Sequence, residues 1–433
     1  VKGFFSKISS NQIVSLLLDP PYLSFSLSVF FSQIAFNMLT IVLIFLIFFL
    51  TSSNFSVSIL LFCILIPQIL LSFIGGIVAD VSNRKQILVA ANLLRAGALL
   101  LLFFNLNSVL MVYAVALVIS VISQFYVPAE SPMIPSLVRK EKLVPANSIF
   151  GMGLFGSILI GYVLAGPAIS ALGRSNVFIL LAFIFLLAAV FAFLIPSEKI
   201  RQKNKTQKLL VYSSFKKSLR DGLSRSSSIL IKYKEVGDAF FLLIFSQIII
   251  LIIATLIPGY AKTILEVPAE DLSVILFAPA SLGMVISATL IGSFFAKSVK
   301  KNLINAGILI SGISLLLFPL ASRIVVQDIV QFLNLFLPRM VELNVFNFVL
   351  VLAFLAGFAN ALIFVPSQAL VQGMVPQDFR SKIYGLLFAL IGVFSLLPIL
   401  VAGGVADIIG VGAVLAIIGA AILFLGLIRA GIR

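Results

Sequence analysis

The chain has 433 residues, 61% hydrophobic and 10% charged, with a mean hydropathy of +1.22. A soluble domain carries roughly a quarter charged residues, so this composition excludes an ordinary soluble fold and points to a polytopic membrane protein. The absence of histidine and the single cysteine, Cys63, exclude a histidine metal site or proton relay, an intramolecular disulfide and a cysteine cluster. Cys63 itself reads as a small buried hydrophobe. A net charge of +15 would suggest nucleic acid in a soluble protein. Here the basic residues stand beside apolar runs without interleaved aromatic side chains, so membrane orientation and anionic headgroups account for them.

Residues 1 to 20 hold Lys2, Lys7 and short apolar clusters ending in Asp19-Pro20. Their apolar stretch is too broken for a signal peptide, and an amphipathic segment lying on the inner leaflet is expected. Long apolar runs follow near 24–50, 55–79, 87–106, 108–137, 147–172, 177–196, 239–259, 271–295, 303–321, 345–374, 383–403 and 410–429. Each reaches the roughly 20 residues needed to cross hydrocarbon at about 1.5 Å per residue. Twelve spans put both termini on one side. Of the 30 Lys and Arg, only Arg174, Lys262, Arg323 and Arg339 fall on the other side, and Arg95 lies within a span. That asymmetry places both termini in the cytoplasm.

The longest polar segment, Ser197 to Asp238, divides the spans six and six. Its basic run from Lys199 to Arg225 reads as a cytoplasmic linker with a helix resting on anionic headgroups, a partner-binding segment being the other reading. The expected organisation is all-α: a six-helix half over 1–196, the basic linker over 197–238 and a second six-helix half over 239–433. Between Arg323 and Glu342, polar residues recur at helical spacing against apolar ones, so an interfacial helix is expected on the outer face. Two echoes point to duplication of the halves. Phe125-Tyr126-Val127-Pro128-Ala129-Glu130 closes span four much as Ile363-Phe364-Val365-Pro366-Ser367-Gln368 closes span ten, and Gly76 to Lys85 is echoed by Gly292 to Lys301.

Between spans two and three, Gly75-Gly76-Ile77-Val78-Ala79-Asp80-Val81-Ser82-Asn83-Arg84-Lys85 sets one acid and two bases at the mouth of an apolar run. Twelve spans, the basic linker and the pattern G-x-x-x-D-x-x-x-R-K (Gly76, Asp80, Arg84, Lys85) together resemble the major facilitator superfamily over essentially the whole chain. The wording from Val127 to Val138, followed by Leu143-Val144-Pro145-Ala146-Asn147, is similar to a bacterial branch of macrolide-efflux-like and enterobactin-exporter-like carriers. The resemblance implies a secondary active transporter of the bacterial plasma or inner membrane that works by alternating access as a monomer, without cofactor or metal. It implies proton-driven export of a hydrophobic or amphipathic small molecule, the alternative being a carrier of a specific metabolite, siderophore or lysolipid. A channel lacks its continuous polar stripe here, and a membrane-embedded enzyme lacks its nucleophile and base. Two departures stand out: Asn83 occupies a place where glycine is common, and Gly161 is followed by Tyr162, with Gly166-Pro167 arriving later. Asparagine still tolerates the left-handed backbone that glycine adopts there.

Charges inside spans are costly and are functional candidates by default. Arg95 and Glu130 each fall about eight residues from a cytoplasmic span end, roughly 12 Å deep. Glu130 has three readings: a proton carrier, a fixed ion pair with Arg95, or an exposed carboxylate at the cytoplasmic mouth. Gln33 and Asn37 lie at i, i+4 on one helical face. With Gln68, Gln124, Gln247, Asn360 and Gln368 they are the neutral polar groups expected to line a substrate cavity, interhelical hydrogen bonds being the other reading. Asn37 stands where related carriers often place an acid. Gly151, Gly153, Gly156, Gly161 and Gly166-Pro167 make span five a close-packing helix, expected to lie against the other half. By resemblance, Gly76, Asp80, Arg84 and Lys85 form a gate: Gly76 brings span two close to span eleven, Asp80 caps that helix, and Arg84 pairs with a carboxylate or carbonyl.

Overall fold

The computed structural model describes residues 12–196, 234–293, 300–321, 345–374 and 377–431. The expected amphipathic start, most of the basic linker, the turn at 294–299 and the connection between Arg323 and Glu342 lie outside them. The structure is all-α. A short helix α1 (Gln12–Leu17) precedes α2 (Pro20–Thr51), α3 (Asn54–Val81), α4 (Arg84–Phe103) and α5 (Val109–Glu130). A one-turn helix α6 (Ile134–Leu137) leads to α7 (Leu143–Leu194), and α8 (Lys234–Tyr260), α9 (Ala278–Ser293), α10 (Lys300–Leu317), α11 (Val345–Met374), α12 (Gln377–Ile409) and α13 (Val411–Gly431) follow. Among the described residues, eleven helices are long and apolar enough to cross a membrane. One of them, α7, is 52 residues long and turns at Gly173, whose φ of 79° and ψ of 165° interrupt the helix, so it makes two passes and the total is twelve. That backbone region is essentially confined to glycine.

Local chemistry explains most boundaries. Asn83 is extended (φ −74°, ψ 111°) and caps α4 by accepting from the Gln86 amide at 3.4 Å. It therefore serves as an N-cap, for which a short side-chain acceptor is well suited, and not as the left-handed residue its place suggested. Span four ends seven residues earlier than expected, at Glu130. Pro132 disfavours helix at Ser131, and the chain continues as the 3-10 turn Ser131–Met133 and then α6. Gly410, at φ 90°, makes the tight reversal from α12 into α13.

The chain forms two compact units, 1–46 with 63–214 and 47–62 with 215–433. In the first, Leu16, Tyr22, Phe25, Leu88, Tyr126, Met133, Ile134 and Ala192 belong to one buried cluster, pinned by the Tyr22 hydroxyl donating to Ala146 O at 2.7 Å. In the second, helices cross on glycines. A Cβ on Gly357 would stand 1.9 Å from Ala280 O, one on Gly283 2.2 Å from Phe354 O, and one on Gly419 2.5 Å from Leu316 N. Such crossings bring backbones close enough for dispersion to replace the hydrophobic driving force absent in lipid.

Gly161 makes the same kind of crossing in the first unit, with its would-be Cβ 2.9 Å from Ile34 O and Met38 N of α2. At Gly161 span five thus packs closely on a helix of its own half. Gly156 makes only ordinary contact with Phe30, Gly151 and Gly153 face open space, Gly166 is buried and Pro167 is exposed.

Candidate functional site

The first unit gathers its polar side chains around Arg95. α4 contributes Asn92 and Arg95 at i, i+3, so both share a face. α2 contributes Ser32, Gln33, Phe36 and Asn37, α5 contributes Ser123, Tyr126 and Glu130, and α7 contributes Phe185. Arg95 is 2% exposed and Glu130 3%. Burying either charge in an apolar bundle is expensive unless it is solvated by protein groups.

Arg95 obtains that solvation from hydroxyls and rings. Nη1 donates to Ser32 Oγ at 3.0 Å and Nη2 to Ser123 Oγ at 2.9 Å. Each hydroxyl passes its own hydrogen onward, Ser32 to Asn92 Oδ1 at 2.8 Å and Ser123 to Ile119 O at 2.7 Å, which leaves a lone pair facing the guanidinium. The guanidinium carbon lies 4.4 Å from the Tyr126 ring centroid, 5.6 Å from Phe185 and 5.7 Å from Phe36. Cation–π contacts strengthen when desolvated. Arg95 Nε and Asn92 Nδ2 are buried without hydrogen-bond partners.

Glu130 is held separately. Its Oε1 accepts from Gln33 Nε2 at 3.0 Å, and the pair Arg95–Glu130 is not among the ion pairs of the described residues. Of the three readings open from the sequence, neither the ion pair nor the exposed carboxylate matches this geometry. Glu130 is buried although it ends α5, because the chain turns back and lays Met133 and Ile134 into the core. Arg84 Nη1 donates to Pro132 O at 3.2 Å, so the charged turn after α3 ties down the turn that follows Glu130.

The other candidates scatter. Asn37 donates back to Gln33 O at 2.8 Å, and Gln124 to Ser120 O at 3.2 Å, both within their own helices. Gln68, Gln247 and Gln368 are half-buried, and Asn360 Oδ1 is buried without a partner. Lys85 Nζ lies 4.9 Å from the Phe193 ring centroid. Gly76 has no atom within 4 Å of a would-be Cβ, whereas its neighbour Gly75 would place one 1.7 Å from Gln124 O of α5. Within the first unit, the close approach at this turn is made by Gly75. The side chain of Asp80 lies outside the described residues. Sequence reasoning passed over Ser32, Asn92, Ser123 and Tyr126, although Asn92 is a polar residue one turn before Arg95 in an apolar run.

Twelve apolar passes in one chain define a polytopic membrane protein, and its first unit buries a cation and a carboxylate among its helices. The chain belongs to the Major Facilitator Superfamily, whose family model matches residues 25–337. It is therefore a secondary-active transporter and not an enzyme. It is similar to the uncharacterized MFS-type transporter YfiS of Bacillus subtilis, 26% identical over 392 residues that span 88% of this chain and 85% of that protein. A shorter likeness, 29% over 97 residues and 22% of each chain, joins it to YkuC of the same organism, also an uncharacterized MFS-type transporter. Among solved structures, the nucleoside transporter NupG matches with a TM-score of 0.68 at 15% identity, covering 94% of this chain and 98% of that one. A POT family transporter in complex with 5-aminolevulinic acid matches with a TM-score of 0.65 at 14% identity, covering 94% of each. At such identities the likeness carries the fold alone.

Proposed function

We propose that this chain is a proton-coupled carrier of a specific small metabolite, with Glu130 as the proton-carrying group and Arg95 as the fixed cation beside it. The observation that supports this is the partner of Glu130, a neutral amide at 3.0 Å. A carboxylate pinned by a guanidinium is held charged. One facing a glutamine has a partner for both forms, since the amide donates NH₂ to the anion and, turned over, presents its carbonyl to the acid. Arg95 meanwhile donates from both terminal nitrogens to Ser32 and Ser123, so its charge does not depend on Glu130 and can persist through the cycle. The solved proteins of similar fold include a nucleoside transporter and a POT family transporter in complex with 5-aminolevulinic acid, which accords with a polar cargo.

A second reading, export of a hydrophobic or amphipathic compound, is favoured by the wording of Val127 to Asn147, which is similar to macrolide-efflux-like and enterobactin-exporter-like carriers. In either case both termini face the cytoplasm of a bacterial cell, the basic loops meet anionic headgroups and the carrier works as a monomer. The two readings separate in proteoliposomes with an imposed pH gradient, given uridine, a dipeptide and 5-aminolevulinic acid in one arm and ethidium and a lysophospholipid in the other. Saturable, gradient-driven flux of a water-soluble solute that loses its gradient dependence in Glu130→Gln supports the first reading. Flux confined to the lipophilic arm supports the second. Retention of wild-type gradient dependence by Glu130→Gln removes Glu130 from the proton path.

A further inference from the structure

Around the buried cation of the first unit, three donors stay unused. Arg95 Nε, Asn92 Nδ2 and the Tyr126 hydroxyl are each buried without a hydrogen-bond partner. They stand together: the Tyr126 ring centroid lies 4.4 Å from the guanidinium carbon, and its hydroxyl faces Ser32 and Asn92. The orientation of Asn92 follows from its neighbours. Its Oδ1 accepts from Ser32 Oγ at 2.8 Å and lies 3.5 Å from Arg95 Nη1, so the NH₂ end is the one left over.

Folded interiors rarely leave buried donors unmet, and three beside one positive charge mark the place of an acceptor. A single water accepts from two of them and brings two hydrogens that need acceptors of their own, whereas an anion accepts from all three and answers the charge. The fold does not require this cluster. In the echo of the segment within the second unit, Phe364 and Gln368 stand at the places of Tyr126 and Glu130, so the hydroxyl and the acid belong to the first unit alone.

We propose that Asn92, Arg95 and Tyr126 form an anion site that takes a carboxylate group of the cargo. This deepens the reading of Glu130 as the proton carrier and rests on it for the order of events. While Glu130 is charged, the cluster holds one cation and one anion. When Glu130 takes up its proton, Arg95 is a buried cation without a counter-charge, which is costly, and an arriving carboxylate restores the balance. The charged and titratable groups that act on Glu130 are Arg95 from α4 and Tyr126 from α5; α2 meets it with the neutral Gln33, and Arg84 is engaged with Pro132 O in the turn beyond it. Arg95, Asn92, Tyr126 and Glu130 are at most 3% exposed, so the carboxylate is desolvated where charge-assisted hydrogen bonds are strongest.

The test uses the full chain in lipid nanodiscs with tyrosines isotope-labelled at Cζ, a carbon whose resonance follows the hydrogen bonding of the hydroxyl. The Tyr126 signal is identified by its loss in Tyr126→Phe or, should that variant fail to fold, as the one that acetate moves in the wild type alone. Sodium acetate should shift it saturably, and acetamide, neutral and of the same shape, should not. A free chloride shares the chemistry of an anion that accepts hydrogen bonds: saturation by sodium chloride in preference to acetate would make this the site of a resident ion and overturn the proposal, as would the absence of a saturable shift. Acetate should bind about tenfold more tightly at about pH 6 than at about pH 8.5, a coupling of ordinary size. Saturation with equal affinity at both supports the anion site and sinks the proton role of Glu130 instead, so the two failures differ. Asn92→Asp keeps the acceptor for Ser32 but sets a fixed carboxylate beside Arg95, and it should weaken acetate binding at least about tenfold. Undiminished binding in that variant overturns the proposal.

Discussion

Gly75 and Gly76 are neighbours in α3, and replacing each in turn by alanine separates local from tertiary effects. Both substitutions gain the same intrinsic helix preference, about 1 kcal/mol in favour of alanine. The contacts differ. A methyl on Gly76 meets nothing within 4 Å, whereas one on Gly75 falls 1.7 Å from the backbone oxygen of Gln124. An ordinary carbon–oxygen contact is about 3.3 Å, so α3 must withdraw from α5 by about 1.5 Å. Both atoms are backbone or backbone-fixed, and no rotamer relieves the clash. Overpacking of this kind costs about 1–3 kcal/mol, and the shared helix preference cancels, so Gly75→Ala should be less stable than Gly76→Ala by about 1–3 kcal/mol. Thermal unfolding of the two purified variants in one detergent, followed by circular dichroism, reads the difference as several degrees in midpoint. Equal midpoints, or a lower one for Gly76→Ala, would refute the assignment of the close crossing to Gly75.

Two further outcomes follow from the same geometry. Arg95→Lys keeps the charge but cannot reach Ser32 and Ser123 at once, so it should lose about 2–3 kcal/mol of stability; an unchanged denaturation midpoint would show that the hydroxyl pair is not what solvates this cation. Gly173→Ala places a side chain at a φ of 79°, where it is strained, and should cost about 1–3 kcal/mol. Lowered expression and a depressed midpoint are the expected readouts, and wild-type behaviour would mean that the turn between the two passes of α7 is not held in this conformation.

The charged turn after α3 shows how far the sequence reaches. Its place beside a helix end, its basic pair and its family pattern are all legible, because hydrophobic length and helix capping depend on residues within a few positions of one another. The working parts are arranged differently. Gly75 makes the crossing with α5, Asn83 is a cap, and Arg84 holds the backbone of the turn that follows Glu130. Two adjacent glycines have the same local surroundings, and only the path of α5 distinguishes them.

By itself, then, the sequence determined the twelve passes, the family and the two charges that lie inside the bundle, since each is written in runs of residues whose cost in lipid does not depend on their neighbours. The tertiary structure decided the partners: a glutamine for Glu130, two serines and three rings for Arg95, and the N-terminus of α3 for Asp407, an acid at a span end with no local sign of its role. Hydrogen bonds are directional and short, so which donor meets which acceptor is set by the rotation and spacing of packed helices. No window of sequence contains that information.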